Sequence, residues 1–473
     1  CYTGDISDPS KDKYTLDYYV NMAKELEKRG AHFLAIKDMS GLLKPYAAKK
    51  LVKALKDEVG LPIQLHTHDT SGNQVAACLM AAEAGVDIVD LAISSMSSLT
   101  SQPSMNSVVS ALAGTERDTG FDIKRLEELS EYWEDVRKRY DTFESELKTP
   151  ITDIYRYEIP GGQYTNLRPQ VQSLGLGHRF NEVREMFVKV NQMLGDIVKV
   201  TPSSKMVGDL AIFMVQNNLT PENIVEKGAS LAFPDSVVSY FMGYMGQPAW
   251  GFPEDIRKIV LKGKEPINCR PGDLLEPVDF DAVRAHLTEI KDGGTVSERD
   301  VVSWVMFPKV VEDYYKIRRE YGYLTRLGSH VFFHGLAIGE TTKVDIEDGK
   351  TLVIKYLGNG DLEEDGNRLV HFELNGSYRD VAVPDAKAAA TVEHVPMADP
   401  EDQHQVGSSI PGAISKISVK AGDTVKVNQV LAVVEAMKME TSIVSAMDGV
   451  IEEVLVNAGE TVKAGQLLIK IKD

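Results

Sequence analysis

The chain has 473 residues, which is more than one hydrophobic core can organise, so we expect about three domains. Its net charge of −18 and isoelectric point near 5.1 oppose binding to nucleic acid or to an anionic membrane surface, and no apolar run is long enough to span a bilayer. The three cysteines, Cys1, Cys78 and Cys269, lack metal-ligand spacing, which predicts reduced thiols in an intracellular protein.

Short apolar strands alternate with amphipathic helices from the start of the chain to about residue 110. Each predicted helix ends at a glycine, and a short apolar segment follows it. The predicted elements are a helix through Leu16, Tyr19, Ala23 and Leu26 that ends at Gly30, a strand at 32–37, a helix at 46–59, a strand at 63–67, a helix at 74–84 and a strand at 87–92. This punctuation is typical of βαβ units, which form a parallel sheet.

Four strand positions fit into this region when a strand that begins just before Cys1 is counted. An eight-stranded β/α barrel needs twice that number. No signal-peptide pattern opens the sequence, and residue 1 is Cys rather than Met. We therefore expect the sequence to start in the middle of a barrel, with residues 1–115 forming the second half of it.

Three side chains stand at the C-terminal ends of predicted strands, where barrel enzymes place their chemistry. His66 and His68 are two residues apart on one strand, so they point to the same face and suit a divalent metal. Lys37 ends the preceding strand. It can form a salt bridge with Asp38 or Asp69, form a Schiff base, or capture carbon dioxide as an anionic carbamate that binds metal. The pattern alone does not choose among these.

A long, mainly helical region follows, which we assign to residues 116–294. It contains Gly-Gly-Gln-Tyr-Thr-Asn-Leu at 161–167 and Val-Thr-Pro-Ser-Ser-Lys at 200–205. Thr201 followed by Pro202 is typical of an N-cap and first helical turn, so a structural role is its first interpretation. A capping threonine can still present its hydroxyl to a neighbouring group.

Residues 295–385 combine helices with a return to period-two alternation. The segment 297–321 is predicted to be helical, and the turn pairs Asp348-Gly349 and Asn375-Gly376 predict hairpins between 341 and 383. The apolar residues interpreted as core in the helical segment are Trp304, Val305, Val310, Val311 and Tyr314. Residues 386–406, rich in Ala, Pro, Asp and His, predict a flexible linker.

The last segment, 407–473, nearly repeats itself. The residues Gly412, Gly422 and Val425 recur 37 positions later as Gly449, Gly459 and Val462. Short alternating runs broken by Gly-Asp or Gly-Glu predict half-buried strands and tight turns, and the two halves are expected to close on each other as a small sandwich. Lys438, in the sequence Ala-Met-Lys-Met at 436–439, falls between the halves at a predicted hairpin tip.

This duplicated frame resembles the biotin carrier domain of biotin-dependent carboxylases, whose lysine carries biotin and whose flanking methionines are read by the biotin ligase. The resemblance implies covalent biotin on Lys438 and a biotin protein ligase as a partner. The lipoyl carrier shares the plan and is the nearest alternative, but it usually has Asp where this chain has Met437. An unmodified, solvated turn lysine is the remaining interpretation.

Four segments of the first domain, 1–5, 36–43, 66–72 and 99–103, are similar to the carboxyltransferase barrel of the pyruvate carboxylase family. The resemblance implies that Lys37 is carbamylated and binds a divalent metal, manganese or zinc, together with His66 and His68. The family's fourth ligand, an Asp, and the Gln and Arg that hold pyruvate belong to segments that this sequence does not contain.

Residues 116–294 resemble the helical extension over the mouth of the barrel in that family. The resemblance implies that Thr201 shuttles a proton between pyruvate and biotin, and that Ser204 and Lys205 line the biotin pocket. Residues 295–385 are similar to the family's allosteric and tetramerisation domain, which implies a homotetramer.

The sequence is thus interpreted as the C-terminal portion of a biotin-dependent carboxylase, a ligase. The expected fold class is α/β, with a partial TIM barrel and its helical extension, an α+β central domain, and a C-terminal all-β biotinyl/lipoyl-carrier sandwich. The implied reaction is carboxyl transfer from carboxybiotin to pyruvate, giving oxaloacetate, with ATP, magnesium and acetyl-CoA acting only in the full-length enzyme.

Two alternatives stay open. One is a subunit of oxaloacetate decarboxylase or transcarboxylase, and the other is a non-catalytic biotinylated scaffold. The implied location is the cytoplasm, or the mitochondrial matrix in a eukaryote. The chain as given is expected to take up biotin but to make no oxaloacetate by itself, because half a barrel lacks part of the site.

Overall fold

A computed structural model describes residues 1–144, 147–291, 294–363, 366–385, 396–399, 402–436 and 439–472. The chain divides into two compact units. The first contains Cys1–Lys138, Phe143–Pro271 and Val395–Asp473, and the second contains Arg139–Thr142 and Gly272–His394. Within the described residues, none of the helices combines the length and the apolar character needed to cross a lipid bilayer.

The first unit begins with parallel strands and helices in alternation, which confirms the predicted βαβ pattern. The elements are α1 Leu16–Lys28, β1 Leu34–Asp38, α2 Pro45–Glu58, β2 Ile63–Thr67, α3 Gln74–Glu83, β3 Ile88–Val89 and α4 Met105–Leu112. The strands lie in the order β1-β2-β3. Where a further strand was expected at Cys1, the described residues form none, although the Tyr2 amide donates to the Lys37 carbonyl at 2.8 Å.

The two faces of this sheet differ in character. Ile63 and Leu65 of β2 are fully buried against the helices, together with Leu51 and Val52 of α2. Because successive side chains of a strand point to opposite faces, His66 lies on the other face. β1 runs parallel to β2 with Lys37 opposite His66 in the register, so the two side chains share that face.

The helical extension completes most of the first unit. Its helices are α5 Ile123–Arg137, α6 Ile154–Tyr157, α7 Gly161–Ser173, α8 Phe180–Met193, α9 Ser203–Gln216, α10 Ile224–Lys227, α11 Asp235–Met242 and α12 Glu254–Leu261. Every residue of α9 from Met206 to Val215 is buried. A helix buried on all sides is the centre of its domain, so α7, α8 and α11 pack around α9.

In its described residues, the second unit contains four α-helices followed by an antiparallel sheet. Its elements are α13 Phe280–Ile290, α14 Glu298–Met306, α15 Pro308–Tyr321, α16 Ser329–His334, β4 Thr341–Glu347, β5 Lys350–Leu362, β6 Asn367–Leu374 and β7 Ser377–Pro384. The strands pair in sequence order, so the predicted hairpins are confirmed.

Three details of this region differ from the sequence predictions. The helix predicted at 297–321 is broken before Pro308, because a residue that precedes proline is disfavoured in helical conformation. Val310 and Tyr314 are exposed rather than core, whereas Trp304, Val305 and Val311 pack against the small core of this unit. That core also includes residues of α13, so the boundary predicted between 294 and 295 lies inside the unit.

The C-terminal segment is a sandwich of two four-stranded sheets. Its strands are β8 Gln405–Gly407, β9 Gly412–Ile417, β10 Thr424–Val425, β11 Val430–Ala436, β12 Met439–Val444, β13 Gly449–Val454, β14 Thr461–Val462 and β15 Leu467–Lys472. The sheet orders are β12-β11-β9-β14 and β10-β13-β15-β8. β10 pairs with β13, and β14 pairs with β9, so each half of the repeat gives a strand to the other half.

The repeated glycines have a common steric cause. A Cβ on Gly412 would lie 2.4 Å from the Glu435 carbonyl oxygen, and one on Gly449 would lie 2.6 Å from the Lys472 carbonyl oxygen. Only glycine fits such a close backbone approach. The predicted closing of two equivalent halves is therefore confirmed.

The carrier starts earlier than predicted. β8 includes Gln405 and Val406, which we had assigned to the linker 386–406. Before it, the Ala398 amide donates to the Gly465 carbonyl at 2.9 Å. The end of the predicted linker therefore packs on the carrier, because its backbone continues the sheet hydrogen bonding. Residues 386–395 and 400–401 lie outside the described residues.

Candidate active site

Lys37, His66 and His68 come together at the C-terminal ends of β1 and β2. Lys37 and His66 are register partners in the parallel sheet. The rings of His66 and His68 are 5.4 Å apart between centroids. The structure thus brings together the three residues that the sequence predicted as metal ligands.

Both imidazole rings are held through the same ring atom. His66 Nδ1 lies 2.8 Å from Asp90 Oδ2, and His68 Nδ1 lies 2.6 Å from the Thr100 carbonyl oxygen. A carbonyl oxygen only accepts, so His68 Nδ1 carries the hydrogen and Nε2 keeps its lone pair. Each ring therefore has Nε2 available as a ligand atom, in the arrangement that metal-binding histidines adopt.

The charge state of His68 also suits a ligand. Burial lowers the pKa of His68, and the nearby His66 and Lys37 lower it further, while the bond to the Thr100 carbonyl opposes them. A lowered pKa favours the neutral ring, which is the form that binds metal.

The salt-bridge interpretation of Lys37 is not supported by the contacts. Asp38 is fully buried and accepts from the Leu42 and Leu43 amides at 2.9 Å each and from Thr67 Oγ1 at 2.8 Å. Within the described residues, no ion pair joins Lys37 to a carboxylate. Lys37 is exposed on the face that His66 shares, so its amine is accessible to carbon dioxide.

The described residues supply only part of a coordination sphere. No group of three or more His, Cys, Asp or Glu side chains that could hold a metal is found among them. Two imidazole nitrogens are present, and a carbamate on Lys37 would add an anionic oxygen beside them. The residues fit a divalent metal that takes nitrogen and oxygen ligands, with further ligands from elsewhere.

Thr201 lies in the turn before α9, and its predicted role as an N-cap is wrong. α9 begins at Ser203, and its N-cap position is Pro202, which makes no side-chain hydrogen bond. Ser203 supplies the local bonds instead, since its Oγ contacts the Val198 and Val200 carbonyl oxygens at 2.6 Å each. Thr201 is exposed and has no hydrogen bond from its hydroxyl to the described part of the chain, so that hydroxyl is accessible.

Ser204 and Lys205 occupy the first turn of α9. Ser204 is 4 % exposed, so only a small part of it is accessible. Lys205 Nζ lies 2.7 Å from Oδ2 of Asp209, whose side chain is fully buried and also accepts from Ser236 Oγ at 2.6 Å. This ion pair fixes the ammonium of Lys205 on the surface of α9.

The carrier lies against α11, which packs on α9, the helix that bears Lys205. Pro234 forms an antiparallel bridge with Thr441 of β12. Ser442 Oγ donates to Asp235 Oδ1 at 3.0 Å, and burial raises the pKa of Asp235 while this bond opposes the change.

A third contact reaches Met439, the last residue of the Ala-Met-Lys-Met sequence at 436–439. Gln170 Nε2 of α7 lies 3.2 Å from Asp209 Oδ1 and 3.8 Å from the sulfur of Met439. Lys438 lies outside the described residues, between Ala436 and Met439, which are paired across the hairpin. Gln170 thus connects Met439 to the Lys205–Asp209 pair.

Sequence reasoning missed four residues that organise this site. Asp90 and Thr100 hold the histidine rings, and Asp209 and Gln170 connect Lys205 to the carrier. Asp209 follows Lys205 at the spacing of a helical ion pair, which was a usable signal. Asp90 lies inside the strand predicted at 87–92, which in the structure is only Ile88–Val89, so Asp90 directly follows β3. A polar residue at that position, beside the histidine strand, was a weaker signal. Thr100 acts through its backbone, which no side-chain pattern reveals.

Comparison with known proteins identifies three regions. Residues 5–132 match the HMGL-like family, residues 154–355 match the conserved carboxylase domain, and residues 404–471 match the family described as biotin-requiring enzyme. An HMGL-like barrel domain, a carboxylase domain and a biotin carrier together define the class of biotin-dependent carboxylases.

Individual relatives define the family. The chain is 50 % identical over 443 residues to pyruvate carboxylase of Bacillus subtilis and 46 % identical over 447 residues to the mitochondrial pyruvate carboxylase of Homo sapiens, in each case over 94 % of this chain and 38 % of the relative. The chain belongs to the pyruvate carboxylase family and corresponds to its C-terminal part.

Solved structures of pyruvate carboxylase are also similar to this chain. The complete multifunctional pyruvate carboxylase of Rhizobium etli matches with a TM-score of 0.72 and 47 % identity, over 99 % of this chain and 43 % of that one. The carboxyl transferase domain of the same enzyme, with pyruvate and biocytin, matches with a TM-score of 0.73 and 49 % identity, over 82 % of this chain and 65 % of that one.

Proposed function

We propose that the complete protein transfers a carboxyl group from biotin on Lys438 to pyruvate and releases oxaloacetate. The observation that carries this proposal is the docking of β12 against the helical extension, with Thr441 bridged to Pro234 and Met439, which follows Lys438 in the sequence, next to Gln170 of α7. The Rhizobium etli domain solved with pyruvate and biocytin supports the choice of substrate.

The metal-holding residues are Lys37 as a carbamate, His66 and His68, with manganese or zinc as the metal. When bound, the metal polarises the pyruvate carbonyl, and biotin supplies the carboxyl group. Asp90 and the Thr100 carbonyl keep both rings oriented through Nδ1, so neither ring has to reorient when the site is occupied.

Thr201 carries the proton between the pyruvate methyl group and biotin. A hydroxyl is both a donor and an acceptor, so it can pass a proton on without holding a charge. Ser204 and Lys205 line the biotin pocket, and Asp209 keeps the Lys205 ammonium in place.

The remaining assignments are those that membership of the pyruvate carboxylase family implies. Residues 1–115 belong to the carboxyltransferase barrel and 116–294 largely to its extension, with the central domain, the linker and the carrier after them. A biotin protein ligase modifies Lys438, and the complete protein is a homotetramer that uses ATP with magnesium and responds to acetyl-CoA. Its location is the cytoplasm, or the mitochondrial matrix in a eukaryote; the human relative is a mitochondrial pyruvate carboxylase.

The test compares Thr201→Ala with the wild type in the complete protein, with oxaloacetate formation from pyruvate, ATP and bicarbonate as the assay. Loss of general acid–base transfer should lower kcat by about 100-fold or more, while biotin on Lys438 stays at the wild-type level. Thr119→Ala, at an exposed loop position of the same unit, is the matched control. A wild-type kcat in Thr201→Ala would reject the proton transfer, and a wild-type protein that makes no oxaloacetate would reject the function.

A further inference from the structure

Lys199 is a buried cation two residues before Thr201. Lys199 is 1 % exposed. Its Nζ lies 3.1 Å from Glu158 Oε2 and 3.8 Å from Asp196 Oδ1. Lysine is almost never fully buried without a partner, and a buried ion pair contributes little net stability for its desolvation. The pair therefore calls for an explanation other than stability.

Glu158 belongs to a segment that is fastened to the barrel. It ends α6 in a left-handed conformation with φ of 54°, and its carbonyl oxygen accepts from Ser40 Oγ at 3.2 Å. Three residues later the Gly161 amide donates to the Met39 carbonyl at 2.8 Å. Gly161 also lies against His68, since a Cβ there would be 3.0 Å from His68 Nδ1. Glu158 is thus fixed relative to the histidine side of the site.

Lys199 belongs to the turn that carries Thr201. Its amide donates to Thr3 Oγ1 at 3.4 Å, and Ser203 Oγ bonds to the Val200 carbonyl oxygen at 2.6 Å. These bonds set the shape of the turn, but the Lys199 side chain is the part that reaches Glu158. The ion pair is therefore a direct link between the Thr201 turn and the segment beside His68.

We infer that the Lys199–Glu158 ion pair is a positioning device that holds the Thr201 hydroxyl at the correct distance from the substrate. This inference rests on the proposed proton transfer by Thr201. Lys199 and Glu158 do not touch the reacting atoms in this account, and their effect reaches the reaction through the position of the Thr201 turn. A small displacement of a reacting group is enough to slow a reaction strongly.

Lys11 provides a matched comparison, because it contacts the same carboxylate. Its Nζ lies 3.2 Å from Glu158 Oε1, but its side chain is 29 % exposed and it comes from the loop after Asp5, not from the Thr201 turn. Lys199→Met leaves Glu158 paired with Lys11, and Lys11→Met leaves it paired with Lys199. Neither variant leaves the Glu158 carboxylate without a cationic partner, so both are expected to fold.

The experiment measures steady-state kinetics of the complete protein with pyruvate and with methyl-deuterated pyruvate. Lys199→Met is expected to lower kcat by about tenfold or more, with KM for pyruvate changed by less than about twofold. Because proton transfer becomes slower, the deuterium isotope effect on kcat should rise. Lys11→Met should keep the wild-type values of all three quantities. Biotin on Lys438 and the thermal midpoint report that each variant is folded.

A double-mutant cycle with Thr201→Ala separates this inference from the proposed function. If Lys199 acts through Thr201, then Lys199→Met should add less than about twofold to the loss in the Thr201→Ala background. Additive losses, an unchanged isotope effect, or equal losses in Lys11→Met and Lys199→Met would overturn the inference while the proton transfer stands. A wild-type rate in Thr201→Ala would overturn both.

Discussion

Lys205 and Asp209 form a 2.7 Å ion pair in which the two partners differ in environment, since the Lys205 side chain is 41 % exposed and the Asp209 side chain is fully buried. Asp209 sits in the centre of the helical extension and accepts from Ser236 and Gln170 as well. The pair therefore joins a surface cation to the core of the domain and, through Gln170, to the carrier.

This asymmetry predicts that removing the exposed partner is the more damaging change. Lys205→Met leaves a buried carboxylate without its cation, which should cost about 3 kcal/mol. Asp209→Asn removes the charge but keeps hydrogen-bonding atoms, and the lysine left behind is solvated, so we expect about 1 kcal/mol. Thermal midpoints compare the two variants directly.

The control is the exposed i,i+4 pair of Lys53 and Asp57 in α2, whose side chains are 69 % and 58 % exposed. Lys53→Met should change stability by no more than about 0.5 kcal/mol. A midpoint for Asp209→Asn below that of Lys205→Met would contradict our account of the pair.

Biotin attachment should occur at Lys438 alone. The carrier sandwich is complete in the described residues apart from the hairpin tip, and no other lysine stands between its two equivalent halves. Mass spectrometry after co-expression with a biotin ligase measures the modification. Lys438→Ala should carry no biotin, and Lys426→Ala, in the same domain, should carry the full amount. A biotin mass that persists in Lys438→Ala would refute the assignment.

The sequence predicted elements whose cause is local and failed where the cause is a distant contact. β2 was predicted at 63–67 and is found there, because a buried strand between a glycine-terminated helix and the next helix has a clear local pattern. The repeated glycines Gly412 and Gly449 identified the carrier for a similar reason, because each one lies against a backbone carbonyl that leaves no room for a side chain. Steric requirements of this local kind can be inferred from a single sequence.

The errors have different physical origins. Thr201 was expected to cap α9, but Ser203 forms the local hydrogen bonds instead. Residue propensities do not distinguish which of two nearby hydroxyl groups will form such bonds. The docking of Thr441 on Pro234 joins residues more than 200 positions apart, so no sequence pattern signals it. His66 and His68 were recognised because strand periodicity placed both on one face, whereas Lys37 was assigned to the same metal only through the family resemblance. The role of Asp90 required its contact with the His66 ring.

The second unit should lose stability in acid through Asp300. Burial disfavours the ionised carboxylate, but hydrogen bonds from Lys291, Ser297 and Tyr315 outweigh it and hold the pKa of Asp300 well below its ordinary value of 3.8. A lowered folded-state pKa stabilises the fold above the ordinary value, and this contribution declines as the pH falls below it. Stability of this unit should therefore be steady above about pH 5 and fall below about pH 4.

Asp300→Asn tests that assignment. It should lower stability near pH 7 by about 1–3 kcal/mol and flatten the decline in acid, because the charged hydrogen bonds are lost at every pH. Trp304 fluorescence reports the unit once Trp133 and Trp250 are replaced by Phe, since the sequence has three tryptophans. Asp348→Asn, at a turn in the same unit, is the control and should keep the wild-type pH profile.

Metal content should depend on the chemistry of Lys37 rather than on its charge. Lys37→Arg keeps the positive charge, but a guanidinium cannot take up carbon dioxide and repels a cation, so the complete protein should lose most of its bound divalent metal. His66→Ala should lose metal because a nitrogen ligand disappears. Asp90→Asn should weaken metal binding by about 10-fold to 100-fold, since it keeps the ring but alters the bond to Nδ1.

Elemental analysis of dialysed protein gives the metal content, and a titration with manganese gives the affinity of Asp90→Asn. Asp87→Asn is the control, because Asp87 stands three residues before Asp90 but pairs with Lys56 and the Ile63 amide instead of a histidine. It should bind metal as the wild type does. Wild-type metal content in both Lys37→Arg and His66→Ala would mean that the strand-end face is not the metal site. Normal affinity in Asp90→Asn would mean that the histidine ring needs no carboxylate to keep its position.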